Sequence, residues 1–330
     1  MNDDSSDVSR RRLLRASAAT VALSTVGTGQ VAASTSDRDA VAELAFDRRC
    51  PDATIRPSMD SCEGASTDGC SDDHPATRGL RDAVRETLTE RYPDVGALVD
   101  AGFKPYFDTL DVADEEGWSH WLHPEYIGDE EVLDPARPES VLVDNDTWRS
   151  IGVMFIATRG GEPVDPPAVY EDGDESGVGS SDDDGSSDEH GHDGSDDAHG
   201  HGHDGSDDDH EHPGADDNDG HCAPWHYHAG LPGRFAWWFY QRTYDPHGGD
   251  GDVRFPCRTP CMMHVWTVDH PDGVYAHGGP PAEYRDQQPA DDPGFDTDAR
   301  PGEDELGWAT LPEDLAPDRT PDEFAIPGLR

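Results

Sequence analysis

Apolar side chains first follow a helical pattern after a segment that contains cysteines. Leu80, Val84 and Leu88 recur at intervals of four residues, which places them on one face of a helix over residues 77–91. Pro93 precedes a second helical stretch over residues 94–101, and Gly102 suits the end of that helix. The pattern therefore predicts two helices at the start of the foldable chain.

Later apolar segments are shorter and are separated by turn residues, as is typical of β-strands. Residues 141–143 and 151–156 are predicted strands, and the Asp-Asn-Asp sequence at 144–146 predicts a turn between them. Three further segments are predicted strands: 225–228, 235–244 and 262–268. Together these elements predict an α+β fold, with N-terminal helices packed on an antiparallel β-sheet or barrel, for which a cupin-like barrel is the architectural hypothesis.

The same pattern divides the chain into segments of different character. Residues 76–170 and 222–284 supply one core domain, and the Asp- and His-rich insert at 171–221 contains no apolar set to bury, so we expect it to be disordered. Residues 34–75 form an irregular segment with three cysteines, and residues 285–330 form a Pro- and Asp-rich tail that we expect to wrap the surface.

The net charge of the chain argues against some classes of binding partner. The chain carries 72 acidic and 24 basic residues, a formal net charge of −48 at pH 7. Such a chain repels phosphates, which argues against nucleic-acid binding. Strong self-repulsion destabilises a compact state unless salt screens it, and near 1 M salt the Debye length falls to about 3 Å. This composition resembles that of proteins from extremely halophilic archaea.

The N-terminus has the three parts of an export signal. Arg10 and Arg11 belong to a basic cluster, a short stretch of apolar and small residues follows, and the Val-Ala-Ala sequence ending at residue 33 resembles a cleavage site. Consecutive arginines followed by Leu-Leu resemble the twin-arginine (Tat) motif. We therefore predict a Tat signal peptide at residues 1–33, the Tat machinery as a partner, and an extracellular or cell-surface location. No run of 18 apolar residues exists, so no membrane span is expected after processing.

Outside the cytoplasm the cysteines are free to form disulfides. The pairing is open, and we favour Cys62 with Cys70, because the loop is short, and Cys222 with Cys257 or Cys261. The six cysteines are Cys50, Cys62, Cys70, Cys222, Cys257 and Cys261.

An alternative use of two of these cysteines is copper binding. Cys257, Cys261, Met262, Met263 and His264 combine thiolate, thioether and imidazole groups, which suit copper. Their spacing differs by one residue from that of dinuclear copper loops, and on a strand Cys261 and His264 would face opposite sides.

Histidines form two groups. Eight lie in the insert, where His-Gly-His spacing on a flexible chain could gather zinc, copper or nickel; the other interpretation is a solvated linker. Four others lie in apolar surroundings, and two of these, His226 and His228, would point to one face of a strand. His120 and His264 complete the candidate metal ligands, with Glu139 as a carboxylate ligand or a partner of a ligand. The alternative is that these histidines are simply packed in the core.

Two blocks carry a family resemblance. Residues 117–124 with 133–139 and the strand at 151–155, and residues 263–277, resemble a group of exported proteins with no assigned activity. In the bacterial members the blocks read His-Tyr-x-Asn-Pro and His-Val-Trp-Leu-Trp. The resemblance implies a Tat-exported family of halophilic archaea whose single core holds His120 and His264, and it implies nothing about a reaction.

Three functions remain open at this point. The first is an exported protein that binds a divalent transition metal, zinc before copper, through its core histidines and its His-rich loop. The second is a mononuclear-metal enzyme, an oxygenase or a hydrolase of cupin type, with an open position for water or oxygen. The third is a non-catalytic surface or interaction protein in which the histidines are only packed.

Overall fold

The computed structural model describes residues 50–107, 117–171, 220–245 and 253–324. The predicted signal peptide at 1–33 and residues 172–219 of the predicted insert lie outside these ranges. No helix among the described residues is long and apolar enough to cross a membrane.

A seven-stranded antiparallel sheet is the centre of the fold, in the order β1-β8-β9-β5-β4-β3-β2. A two-stranded ladder, β6-β7, lies beside it. The strands are β1 (Met59–Ser61), β2 (Lys104–Tyr106), β3 (Trp118–Leu122), β4 (Ser140–Asp144), β5 (Ser150–Ile156), β6 (Thr158–Arg159), β7 (Glu162–Pro163), β8 (His226–His228) and β9 (Met262–Trp266). The outer strands β1 and β2 do not pair with each other, so the predicted α+β class and antiparallel sheet are confirmed, whereas the barrel alternative is wrong.

Two helices cover one face of the sheet, as the sequence predicted. Helix α1 (Pro75–Arg91) contributes Val84 and Leu88 to the core, and α2 (Val95–Ala101) contributes Leu98. The side chain of Asp94 accepts a hydrogen bond from the backbone of Ala97 and so caps the start of α2. A short helix, α3 (Pro124–Ile127), follows β3.

The opposite face is covered by a helix where the sequence pattern predicted a strand. Residues 235–244 were predicted to be β, but α4 (Leu231–Thr243) is helical. Consecutive large apolar residues have neither a period of two nor a period of four, so pattern alone does not separate a buried strand from a buried helix. Pro232 in the first turn fixes a helical φ, and the helix buries Phe235, Trp238 and Phe239 against the sheet.

The sheet is strongly curved towards α4. His120 on β3 and His264 on β9 are separated by two intervening strands, yet their ring centroids are 5.9 Å apart. Three strand spacings would separate these positions by about 14 Å in a flat sheet. The face under α4 is therefore concave, and side chains from distant strands converge on it.

All six cysteines are paired, but not as the sequence analysis favoured. The disulfides join Cys50 to Cys257, Cys62 to Cys261 and Cys70 to Cys222. The favoured pairs, Cys62 with Cys70 and Cys222 with Cys257 or Cys261, are wrong. Loop length favoured the short pair, but a disulfide forms where folding brings two Cα atoms within about 4.4–6.8 Å. The β1–β8 and β8–β9 pairings bring the N-terminal segment alongside β9, and the Cα atoms of Cys62 and Cys261 are 6.2 Å apart.

A 3₁₀ turn, Ala282–Tyr284, directly precedes the C-terminal tail, and the described part of the tail, residues 285–324, is irregular except for a second 3₁₀ turn, Pro321–Glu323. The tail also contributes to the core that α1 and α2 cover, because Leu306 and Leu311 are buried there. The indole Nε1 of Trp148 donates to the carbonyl of Asp304 and ties the tail to the β4–β5 turn.

Candidate metal centre

Strand alternation brings the four predicted histidines to the concave face. Residues Trp118 and Leu122, which flank His120, pack with α4, and so do Met262 and Trp266, which flank His264. On β8, His226 is opposite Met262. The intervening Tyr227 packs against the other core, so His226 and His228 share the face that His120 and His264 occupy.

A fifth histidine completes the closest group. His277 lies in the loop after β9, and single ring nitrogens of His226, His228 and His277 all lie within 4.8 Å of one another. The Nε2 atoms of His228 and His277 are 3.4 Å apart. Tetrahedral zinc with Zn–N bonds of about 2.0–2.1 Å holds two ligand nitrogens about 3.3–3.4 Å apart. The pair therefore already has the separation that one ion requires, and we call these three residues the histidine triad.

In His264 and His226, a ring hydrogen bond to a backbone carbonyl leaves the other ring nitrogen available. Nδ1 of His264 lies 2.8 Å from the carbonyl oxygen of His277, and it must donate because a carbonyl only accepts. The ring of His226 bonds to the carbonyl of Pro224, while its Nε2 is buried and has no hydrogen-bond partner among the described residues. Metal-binding histidines typically have a backbone carbonyl or a carboxylate behind the ring.

The histidines are held in the neutral form that binds metals. Burial lowers the pKa of His226 and His264 well below the ordinary value, and neighbouring histidines add to the effect. Burial likewise lowers the pKa of His120 and of His228 to about 3. The pKa of His277 is lowered by desolvation too, although its residue surface is exposed at the edge of the site.

His264 and His120 lie beside the triad. The ring centroid of His264 is 5.7 Å from that of His226 and 5.8 Å from that of His277. His120 is one ring farther away, 5.9 Å from His264, and it packs against Trp118 at 4.8 Å. His264 is outside the group of nitrogens that lie within 4.8 Å of one another, and its Nδ1 hydrogen bond to the carbonyl of His277 orients the loop that carries that residue.

The structure does not include Glu139 in the group of converging metal-binding side chains. This residue directly precedes β4 and is buried, and its carboxylate accepts a hydrogen bond from the backbone amide of Ile156 at 3.2 Å. Burial raises its pKa to about 8. Glu139 is outside the triad, and its contacts are those of a buried group that holds two strands together.

Disulfide formation removes two of the proposed copper ligands. Cys257 and Cys261 are bonded to Cys50 and Cys62, so neither offers a thiolate. Met263 packs in the core under α1 and α2, on the face opposite to His264. The alternative in which residues 257–264 form a copper loop is therefore wrong.

Sequence reasoning missed His277 as a ligand. It lies in a loop, so no strand or helix period marked it, and its only local signal is the Gly278-Gly279 pair that follows. Of the two, Gly279 lets the loop approach β3, because a Cβ at this position would collide with the indole of Trp118. A similar close approach occurs at Gly233 in α4, where a Cβ would lie 2.6 Å from Cγ of His228.

Comparisons with protein-family models, with curated proteins and with solved structures found no match. The assignment of the site therefore depends on its own geometry.

Proposed function

We propose that this chain is an exported protein that binds one divalent transition metal through the histidine triad, with the fourth coordination position open. The observation that carries the proposal is the convergence of three imidazoles within 4.8 Å, one of which has a buried, unpartnered Nε2. A buried polar atom without a partner is costly, and a metal bond would satisfy it.

The donor set limits the identity of the ion. Imidazole suits zinc and copper, whereas magnesium, calcium and manganese prefer carboxylate or carbonyl oxygens. The triad contains no carboxylate. Zinc is therefore the first choice and copper the second.

Three disulfides indicate an oxidising, extracellular-like environment for the folded chain. The twin-arginine sequence and the acidic composition support export by the Tat pathway in a salt-loving archaeon. This part of the proposal depends on sequence resemblance alone.

The His-rich insert would supply metal to the triad. Its two described ends are joined where Cys222 donates a backbone hydrogen bond to Tyr170 and forms a disulfide with Cys70. Cys70 and Ala223 line a cavity whose wall also includes His226 and His277. Imidazoles in the insert would collect metal ions, and the acidic side chains of Asp72 and Asp272 in the lining of the cavity would favour the passage of a cation to the triad.

Elemental analysis tests the proposal on the full chain and on a chain that lacks residues 172–219. The shortened chain should retain about one zinc or copper ion, and should load it more slowly than the full chain. His226→Ala in the shortened chain should abolish the retained ion. A shortened chain that folds and holds no metal would refute the triad as a metal site.

A mononuclear-metal enzyme is the second candidate, favoured by the cavity under α4 that His228, His264 and His277 line. The three imidazoles of the triad leave a fourth position for a water or substrate on the ion. An exchangeable water, detected by proton relaxation on a paramagnetic Cu(II) or Co(II) form, would support it, and a closed coordination sphere would exclude it.

A further inference from the structure

The cavity under α4 has the size of a small-ligand site. Its volume is about 360 Å³, and the sheet forms one wall while the first turns of α4 form the other. Pockets for small molecules typically span about 300–1,000 Å³. The cavity therefore falls in the range of sites that take small organic molecules.

Its walls are apolar and aromatic. Trp118 from β3, Tyr106 from β2 and Trp237 from α4 supply aromatic surfaces around the space. Met154 and Ile156 from β5 form its floor. Aromatic rings of a ligand pack favourably against such surfaces, and burial of a ring supplies binding energy without any charged contact.

Four histidines line this apolar space, and its own lining offers them no compensating charge. None of the described residues that line the cavity is Asp, Glu, Lys or Arg. All protein ligands of the proposed ion are neutral imidazoles, so a divalent ion would keep its full charge of two beside an apolar wall. Burial of an uncompensated charge is costly. An anionic oxygen on the open side of the ion would offset that cost.

We propose that the cavity binds a small organic acid, in which a carboxylate or phenolate oxygen coordinates the metal and an aromatic or other apolar body lies between the sheet and α4. The inference rests on the metal site proposed above. It adds the chemical class of the second ligand: one anionic oxygen group on a compact apolar body. The largely apolar walls favour such a ligand over sugars, nucleotides and peptides with several polar or charged groups, because the lining contains no Asp, Glu, Lys or Arg.

Visible absorption of the Co(II)-loaded full chain tests the inference, after metal analysis has established how much Co(II) the triad holds. Benzoate should change the Co(II) spectrum saturably and should bind at least about 10-fold more tightly than acetate, because only benzoate fills the apolar space. Benzylammonium, a cation of similar shape, should leave the spectrum unchanged.

A variant that fills the cavity tests whether benzoate binds inside it. Ala236 lines the cavity from α4, so Ala236→Phe should weaken benzoate binding more than about 10-fold while Co(II) content stays the same. Ala136→Phe, at an exposed position in the loop before β4, should leave both unchanged. The comparison of benzoate with acetate uses the unaltered protein and does not depend on whether the variant folds.

The outcomes distinguish the two proposals. A chain in which the triad holds no Co(II) overturns the metal site and this inference together. A chain that holds Co(II) but binds benzoate no better than acetate, or binds benzylammonium equally well, overturns only the organic acid.

Discussion

The Nε2 atoms of His228 and His277 lie 3.4 Å apart although the two residues are separated by 49 positions in the chain. One residue is on strand β8 and the other is in the loop after β9, so their approach is a product of folding. Two neutral nitrogens at this distance can share a proton or a metal ion, and the buried Nε2 of His226 within the same group favours the ion.

Removal of either member of this pair should weaken metal binding. We expect His228→Ala or His277→Ala to lower zinc affinity by more than about 100-fold, since even loss of a residue that only supports a metal ligand costs about 10–100-fold. Competition with a chromogenic chelator, on chains that lack residues 172–219, measures the change. His221→Ala removes an exposed imidazole outside the triad and should leave the affinity unchanged. Equal affinities in all three variants would contradict the assignment.

The close approach of α4 to β8 should support the metal site. A methyl group at Gly233 would lie 2.6 Å from Cγ of His228, so Gly233→Ala should displace that ring and lower zinc affinity by about 10–100-fold. Gly79→Ala is the matched control, because its Cβ would meet no atom within 4 Å and alanine favours the helix. Isothermal titration calorimetry measures the zinc affinity of both variants. An unchanged affinity in Gly233→Ala would show that zinc binding tolerates displacement of the His228 ring.

The buried Glu139 should make stability depend on pH. Burial raises its pKa from 4.5 to about 8 in the folded chain, so the folded state keeps a proton that the unfolded state releases between those values. The contribution of Glu139 to the free energy of unfolding should therefore fall as pH rises through this window, by at most about 1.4 kcal/mol per pH unit. It is best measured above about pH 7, because below that pH the unfolded chain protonates the buried histidines and produces the opposite slope.

Urea unfolding of metal-free protein at several pH values, in constant salt, measures this slope. Glu139→Gln keeps an oxygen that can accept the amide hydrogen bond of Ile156 and should flatten the slope. Glu125→Gln, at an exposed position on α3, should not. A slope that Glu139→Gln leaves unchanged would assign the pH dependence to other groups.

The disulfide between Cys62 and Cys261 should stabilise the edge of the sheet that carries β8. Replacing both cysteines with serine should lower the free energy of unfolding by about 2–5 kcal/mol, because the unfolded chain regains freedom over a long loop. Peptide mapping of the unreduced protein should recover Cys50–Cys257, Cys62–Cys261 and Cys70–Cys222. Recovery of a Cys62–Cys70 peptide would contradict the observed pairing.

The formal charge of −48 should make folding depend on salt. As salt is removed, repulsion among the acidic side chains is no longer screened, and we expect the folded state to be lost. Circular dichroism during dialysis from molar salt to dilute buffer follows the loss. A melting temperature that does not change with salt would show that the chain is merely acidic.

Two helices and four of the nine described strands, β4, β5, β8 and β9, could be predicted because their signals are local. Leu80, Val84 and Leu88 share one face of α1 whatever the chain packs against, and Ile151 to Ile156 form β5 as the apolar run predicted. The segment around Trp238 could not be assigned, since a helix and a strand that are both fully buried have similar sequences. Disulfide pairing failed for a related reason: the short loop between Cys62 and Cys70 was a local argument, whereas the partner of Cys62 is 199 residues away.

The sequence by itself determined the class of the fold, the acidic surface and the supply of imidazoles, because composition and periodicity act over a few neighbouring residues. It also indicated that His226 and His228 share one face, because side chains alternate along a strand. Only the tertiary structure decided that His277 joins them, that Glu139 stays apart and that an apolar cavity lies alongside. Those relationships depend on the curvature of the sheet and on the path of one loop, which are set by packing across the whole core.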